Sequence, residues 1–265
     1  MEELFNSFQP TITQFGLSHF GLSLKSTAPC LALQGVVHSY LQISAEKATP
    51  YPVIPDGTQS IFISSNGSII GGAQNKNRDI QILAAGEYFG IRFYSGALRH
   101  FFNLDLSEIT DQFVSSEYLP CKYFADLHQR IYQQKYFEKR IGVCDEWLLQ
   151  HYQPQKRNRF DQALSLIYQS SGNIKVDALA KDVAWSSRHL NRLFQLNTGL
   201  STKSFIKIIR LQNLAKQLYV TPGNSLDSAL SLGYFDQSHL IKETKKHLLL
   251  TPSDFVKTFM SDFYN

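Results

Sequence analysis

The sequence holds three cysteines, Cys30, Cys121 and Cys144, widely scattered and without a C-x-x-C pair. An odd, dispersed set argues against a disulfide framework and a thiolate metal site, and it fits a reducing cytoplasm. No run of about 18 uninterrupted apolar residues occurs, so no membrane-spanning helix is expected. The first ten residues, MEELFNSFQP, are acidic and lack the basic-then-apolar order of a signal peptide. Catalytic signatures are missing as well: there is no H-E-x-x-H, G-x-S-x-G, Walker loop or Rossmann glycine pattern. His19, His38 and His100 lie too far apart to suggest three ligands of one metal. No cofactor and no metal are expected, and the chain reads as a non-enzyme.

Acidic residues are unevenly scarce. Residues 155–265 carry 15 Lys/Arg against 8 Asp/Glu, a net of +7, whereas residues 1–154 carry 11 against 14, a net of −3. Such a division is expected when only the C-terminal part meets a polyanion.

The first 120 residues supply short runs rich in Ile, Val, Phe and Tyr: LALQGVVHSYLQIS, QSIFIS, SIIGG, DIQIL and YFGIRFY. Turn signals at Pro55-Asp56-Gly57, Asn66-Gly67 and Ala85-Gly86 bound them, which predicts an antiparallel sandwich or barrel. Asn66-Gly67 is a two-residue hairpin signal. From Pro120 the spacing turns helical, with Phe124, Leu127, Ile131, Ile141 and Leu148 near one face and Gly142 as a candidate break. Residues 122–152 have more apolar residues than one face of a small barrel needs, so homodimerisation through them is expected, the alternative being that both faces pack on the sheet. The polar stretch Gln153–Asn158 reads as a linker, with Pro154 ending the helix before it.

Beyond Arg159 the pattern is helical throughout, and one device occurs twice. Residues 176–197 read VDALAKDVAWSSRHLNRLFQLN and residues 225–248 read SLDSALSLGYFDQSHLIKETKKHL. Each is a short apolar-periodic helix, a three-residue turn, and a second helix opening on small polar residues. That is the helix-turn-helix pattern, in which the second helix enters the major groove. In the first copy Leu190, Leu193 and Phe194 face inward and leave Ser187, Arg188, Asn191 and Arg192 outside. In the second, Leu240 faces inward and Gln237, Ser238, His239 and Lys242 are outside. Arg suits guanine and Asn suits adenine, each through a bidentate pair. Ser186, Lys203, Lys245 and Lys246 are candidates for phosphate contacts. Between the copies, Ser201 to Tyr219 would span ~28 Å as a helix, close to the ~34 Å between successive major-groove faces. Double-stranded DNA is the partner this arrangement implies.

These residues also carry a resemblance. Ala180-x4-Trp185-Ser186-x3-Leu190-x-Arg192-x-Phe194, Arg210-Leu211…Ala215…Leu218, and Gly233-Tyr234-x-Asp236-Gln237-Ser238-His239-Leu240…Thr251-Pro252-Ser253-x-Phe255 are similar to the DNA-binding region of the AraC/XylS family of bacterial transcription regulators. The resemblance covers about 40% of the chain and implies a seven-helix, two-module DNA-binding domain. Its base-reading positions fall on Ser187, Arg188, Asn191, Arg192, Gln237, Ser238 and Lys242. It also implies promoter DNA and RNA polymerase as partners, and a cytoplasmic protein associated with the nucleoid when bound. The chain departs from the family at Thr244, where Phe is usual, and at Leu249, near a usual Gly. More loosely, Pro55-Asp56-Gly57 and Gly90 to Ala97 resemble the effector domains that precede such regions, often cupin-like, which bind a small effector, dimerise, or both.

The expected class is therefore α+β. A strand-rich, cupin-like sensor domain spans 1–120, a helical segment 121–152, a linker 153–158, and an all-α double helix-turn-helix domain 159–265. Glu87, Arg92 and Tyr94 are candidates to bind a small-molecule effector inside the barrel, Arg92 favouring an anionic group. The alternative reading is a DNA-modifying or repair enzyme with a DNA-binding tail, which needs a nucleophilic cysteine or metal set.

Overall fold

A computed structural model of the protein describes residues 5–118, 124–220 and 229–260. Cys121 and the expected boundary at Pro120 lie outside the described residues. Among the described residues, eight strands form two antiparallel sheets. Six of them, in the order β1-β2-β7-β4-β5-β8, make the main sheet, and β3 and β6 make a two-stranded one. The strands are β1 (Leu22–Thr27), β2 (Val37–Ala45), β3 (Thr49–Val53), β4 (Gln59–Ser64), β5 (Gly67–Gly71), β6 (Arg78–Ile82), β7 (Gly86–Phe93) and β8 (Phe113–Ser115).

Five of these fall on the anticipated apolar runs, while β1, β3 and β8 were not anticipated. Strand β3 contains Pro50 and Pro52, which cannot donate to a ladder, and it pairs with β6 alone. Leu31–Leu33, expected to begin a strand, forms a 3₁₀ turn instead. The β4–β5 hairpin is also shifted: Ser64 pairs with Gly67, so Ser65 and Asn66 form the loop. The positive φ of 115° falls on Gly67, and neither loop residue has a positive φ.

Period-two alternation buries the main sheet on both faces. Ile61, Ile63, Phe89, Ile91 and Phe93 join Phe124, Leu127, Ile131, Phe137, Trp147 and Leu148 in one core. Leu41 and Ile43 point the other way, into a core with Tyr51, Val53, Ile80 and Ile82 of the small sheet. A five-residue helix, α1 (Gln14–Ser18), adds Leu17 to that second core.

The helices on the first face are α2 (Phe124–Tyr132) and α3 (Phe137–His151). The break between them falls at residues 133–136, not at Gly142, which lies inside α3 on an exposed face where an added methyl group would meet nothing. The apolar surplus behind the homodimer expectation is taken up by the sheet. Trp147 and Leu148 are fully buried within the chain, and of the large apolar residues in this segment only Leu149 in α3 and Tyr136 in the break stay exposed.

The C-terminal half contains α4 (Arg159–Gln169), α5 (Val176–Asp182), α6 (Ser187–Thr198), α7 (Thr202–Val220), α8 (Gln237–Leu248) and α9 (Pro252–Met260), with residues 229–231 closing a further helical segment. A capping box starts α4: Asn158 accepts from the backbone of Phe160 and Asp161, and the Asp161 carboxylate accepts from the Asn158 N–H. Two cores flank α7. One gathers Phe160, Ile167, Leu179, Leu190, Phe194, Phe205 and Ile209, and the other Leu214, Leu218, Leu232, Tyr234, Leu240, Leu248 and Phe255. Residues of the strand-rich half complete both, Ala73 the first and Ile54 the second.

If α2 and α3 pack on their own sheet, Trp147→Ala should cost about 3–5 kcal/mol of stability through a core cavity. The melting temperature of the wild type should then not depend on protein concentration. A concentration-dependent melt that the substitution abolishes would instead make this face an interface between copies.

Candidate nucleic-acid interface

Helix α6 is set up by its neighbours. The turn after α5 passes through Ala184 in the left-handed region (φ 52°), and Ser186 then accepts from the His189 N–H at 3.2 Å as an N-cap. Leu190 and Phe194 are fully buried and Leu193 partly so, which turns the opposite face outward. On that face Arg188 and Arg192 are exposed and make no ion pair among the described residues. Their guanidinium groups are the free donors of this module.

The other two candidates have work inside the protein. The Ser187 hydroxyl donates to Asp177 at 2.7 Å and ties α6 to the bracing helix. The Asn191 carbonyl oxygen accepts the Thr202 N–H at 3.1 Å, and its amide donates to Gln195 at 3.0 Å. Asn191 therefore satisfies one of the orphan donors at the start of α7. A bidentate pair with adenine needs the same oxygen, so Asn191 is placed as a link between reading helix and spacer.

The second module repeats the design with one extra residue. Gly233 takes the place of Ala184 with φ 84°. Tyr234 takes that of Trp185, each N–H reaching back to a buried alanine carbonyl, Ala229 and Ala180 respectively. Trp185 directly precedes its N-cap, whereas Phe235 is inserted between Tyr234 and the N-cap Asp236. The second turn is thus one residue longer than the sequence pattern suggested. Asp236 accepts from the His239 N–H at 2.7 Å. Phe235 is 85% exposed, the most exposed large apolar side chain among the described residues. Sequence reasoning missed it, although the aromatic Trp185 before the first cap was a signal.

Gln237, Ser238 and Lys242 are exposed on α8, as are Lys203 on α7 and Lys245 and Lys246 on α8. His239 faces inward: its Nδ1 accepts the Phe235 N–H at 3.2 Å, and its ring lies 5.4 Å from that of Tyr234. It closes the turn while about 35% of its side chain stays exposed. Below it, buried Glu243 pairs with Lys207 of α7 and fixes α8 to the spacer. Thr244 is fully buried, and its hydroxyl donates to the Leu240 carbonyl at 2.9 Å. The hydroxyl at this core position is therefore satisfied within its own helix.

The three effector candidates are not brought together. Glu87 and Arg92 differ by an odd number of positions on β7 and so point to opposite faces. Glu87 pairs with Arg140 of α3 at 2.7 Å, on the helix side. Tyr94 lies beyond the strand, its ring 5.1 Å from that of His38. Arg92 alone enters the space between the two sheets, where its Nη2 donates to Asp56 at 2.5 Å and to Ser7 at 3.1 Å. Burial pushes the Asp56 carboxyl up, but Arg92 and the hydrogen bonds from Gln9 and Thr58 hold it below its ordinary value. Burial, with Arg92 nearby, lowers the His38 pKa to about 4, so its imidazole is neutral at physiological pH.

The space around Arg92 is a narrow cavity of about 50 Å³, partly open to solvent, and is walled by Tyr51, Val53, Phe62, Ile80 and Phe113. Gln74 also lines it, and its buried Oε1 has no hydrogen-bond partner. Among the described residues no group of three His, Cys, Asp or Glu side chains could hold a metal ion. No helix there is long and apolar enough to cross a membrane.

A helix-turn-helix domain family matches residues 179–258, the span from α5 into α9, and a domain of unknown function matches residues 25–115. The probable transcription factor PqrA of Proteus vulgaris is 32% identical over 87 residues, 33% of this chain and 71% of that protein. The regulator MtrA of Neisseria gonorrhoeae is 33% identical over 82 residues, 31% of this chain but 27% of its own. ToxT from Vibrio cholerae aligns over 88% of this chain and 97% of its own, at 9% identity and a TM-score of 0.43. The chain belongs to the helix-turn-helix transcription regulators of the AraC/XylS type. It is a DNA-binding regulator of transcription.

The placement of Asn191 separates two kinds of outward polar residue. Without DNA, Asn191→Ala should lower stability by about 0.5–2 kcal/mol, the usual cost of a lost cap. Arg192→Ala should stay within roughly 0.5 kcal/mol of the parent. Denaturant melts giving equal losses for the two would contradict the assignment.

Proposed function

We propose that the chain reads two adjacent major-groove segments on one side of a promoter, with α6 in one and α8 in the other. One observation carries this. Two helices of 12 residues, each N-capped by a side chain and each showing uncommitted polar groups in its first turns, flank a 19-residue helix. That spacer is ~28 Å long, suited to the ~34 Å repeat of the groove. Arg188 and Arg192 are the base-reading residues of the first module, and Gln237, Ser238 and Lys242 those of the second. Phe235 adds an apolar contact at the second groove, the kind a thymine methyl group accepts. Ser186, Lys203, Lys245 and Lys246 hold phosphates and set the register. RNA polymerase is the partner through which such binding acts on transcription.

The strand-rich half is proposed to hold a small effector in the slot floored by Arg92. An apolar wall with a few polar groups is the usual make-up of a ligand site. Because Asp56 already neutralises Arg92, the slot suits a ligand offering hydrogen-bonding groups on an apolar or ring-containing body more than a bare anion. No specific observation favours the alternative of a DNA-modifying enzyme.

Selection from randomised duplexes tests the DNA reading. Arg188→Ala should relax preference at one or two positions, costing ~1–3 kcal/mol, whereas Lys246→Ala should weaken all sequences alike and reduce the salt dependence. Identical behaviour of the two variants would defeat the division into base and phosphate contacts. For the slot, native mass spectrometry of protein purified from its own host should show an added small molecule. Phe113→Trp, by narrowing the slot, should remove it. An added mass that survives this substitution lies elsewhere.

A further inference from the structure

The two reading helices end differently. Helix α6 closes on Gly199, whose φ of 81° is left-handed and whose N–H donates to the Gln195 carbonyl at 2.9 Å. This is a backbone stop of the kind glycine provides, and Gln59 and Thr110 of the strand-rich half donate to the Thr198 and Gly199 carbonyls beside it. Helix α8 ends on Leu249 with φ 61° and ψ 13°, the same conformation on a residue with a branched side chain. That region is costly for a non-glycine residue. Among the described residues, no backbone bond like that of Gly199 closes α8. Its last carbonyls are met from the strand-rich half instead. The Asn77 N–H donates to the His247 carbonyl at 2.5 Å, and the Asn77 side-chain amide donates to the Leu248 carbonyl at 3.3 Å. The buried His247 ring donates from Nδ1 to the Asn75 carbonyl at 2.5 Å.

The donor loop is itself braced. Asp111 accepts from the Asn75 N–H at 2.7 Å and from the Asn75 amide at 2.9 Å, and its own N–H donates to the Ala73 carbonyl at 3.0 Å. Arg78 donates to the Asp111 carbonyl. Gly72 packs so closely that an added Cβ would lie 2.0 Å from the Ile109 carbonyl oxygen. A loop held this firmly can hold something else.

We propose that Asn75 and Asn77, on the β5–β6 connection of the strand-rich half, are positioning residues for the second reading helix. They supply from outside the cap that α6 carries in its own sequence. Base reading by the second module then requires this loop of the strand-rich half docked against the end of α8. The inference rests on the two-helix reading above. It concerns how α8 is held and not whether α8 meets DNA.

The test uses the full chain and duplex libraries randomised under each module in turn. Gln237→Ala serves as the control for reading by α8. Asn77→Ala should reduce base preference under α8 by roughly fivefold, the worth of one hydrogen bond, and leave preference under α6 unchanged. Adding Leu249→Gly, which lets α8 close as α6 does, should restore it. Loss under both modules alike, no loss under α8, or failure of the glycine to restore preference each overturns the positioning role. If Gln237→Ala also leaves preference under α8 intact, the two-helix reading fails first and takes this proposal with it.

Discussion

The DNA-reading half is arranged around one helix with a mostly buried surface. Along α7, Phe205, Ile206, Ile208, Ile209, Leu211, Leu214, Ala215 and Leu218 are all buried, and so is the polar Gln212. A helix apolar on one stripe packs against one partner, while one apolar around its circumference must be enclosed. Here the enclosure comes from the first module, the second module and the strand-rich half. Gln212 shows how closely the third fits. Its side-chain amide donates to the Pro55 carbonyl at 2.9 Å, and its side-chain carbonyl accepts the Phe8 N–H at 2.7 Å. Both groups of a buried amide are satisfied by residues more than 150 positions away in sequence. On the same helix Phe205 lies against Gly57, so closely that a Cβ there would come within 2.9 Å of its ring. The spacer between the reading helices is thus also the docking surface for the other half.

This explains which parts of the fold were legible in the sequence. The stripe Phe205, Ile206, Ile209, Leu214, Ala215 and Leu218 marks a helix packed on the two modules. Ile208 and Leu211 join the same two cores, whereas the strand-rich half is reached through Gln212, a polar residue that leaves no apolar signal. The strands that follow simple alternation were equally plain. Strand β3 was hidden by its prolines and β8 by its length of three residues. The break between α2 and α3 was misplaced because Gly142 is a helix breaker by propensity alone, and packing on either side overrides a cost of about 1 kcal/mol.

The candidate site was legible to the level of a helix face and no further. Periodicity separates Leu190 and Phe194 from Arg188 and Arg192 because burial follows the helical repeat. It does not reveal that Asn191 caps α7, or that His239 turns inward to close its own turn. Those roles depend on hydrogen-bond partners supplied by other elements, and Thr202 is 11 positions from Asn191. Glu87, Arg92 and Tyr94 failed as a group for a simpler reason. Glu87 and Arg92, an odd number apart on β7, cannot share a face, and Tyr94 lies past the end of that strand.

The slot and the DNA-reading half meet at the same few residues, which bears on how a ligand would be felt. Ile54, Pro55 and Asp56 line the slot. Ile54 is buried in the core of the second module, and the Pro55 carbonyl accepts from α7. At the other edge Gly71, Gly72 and Gln74 line the slot, and the chain continues directly into Asn75 and Asn77 at the end of α8. No separate relay is needed, because the wall of one site is the support of the other. Coupling between two sites requires a ligand to favour one arrangement over another, and the effect is equal in both directions. A ligand that needs the observed wall geometry stabilises the cap on α8, and DNA that needs α8 held tightens that ligand in return. One that spreads Gly71–Gln74 away from Ile109 instead withdraws the cap from α8 and Ala73 from the core of the first module.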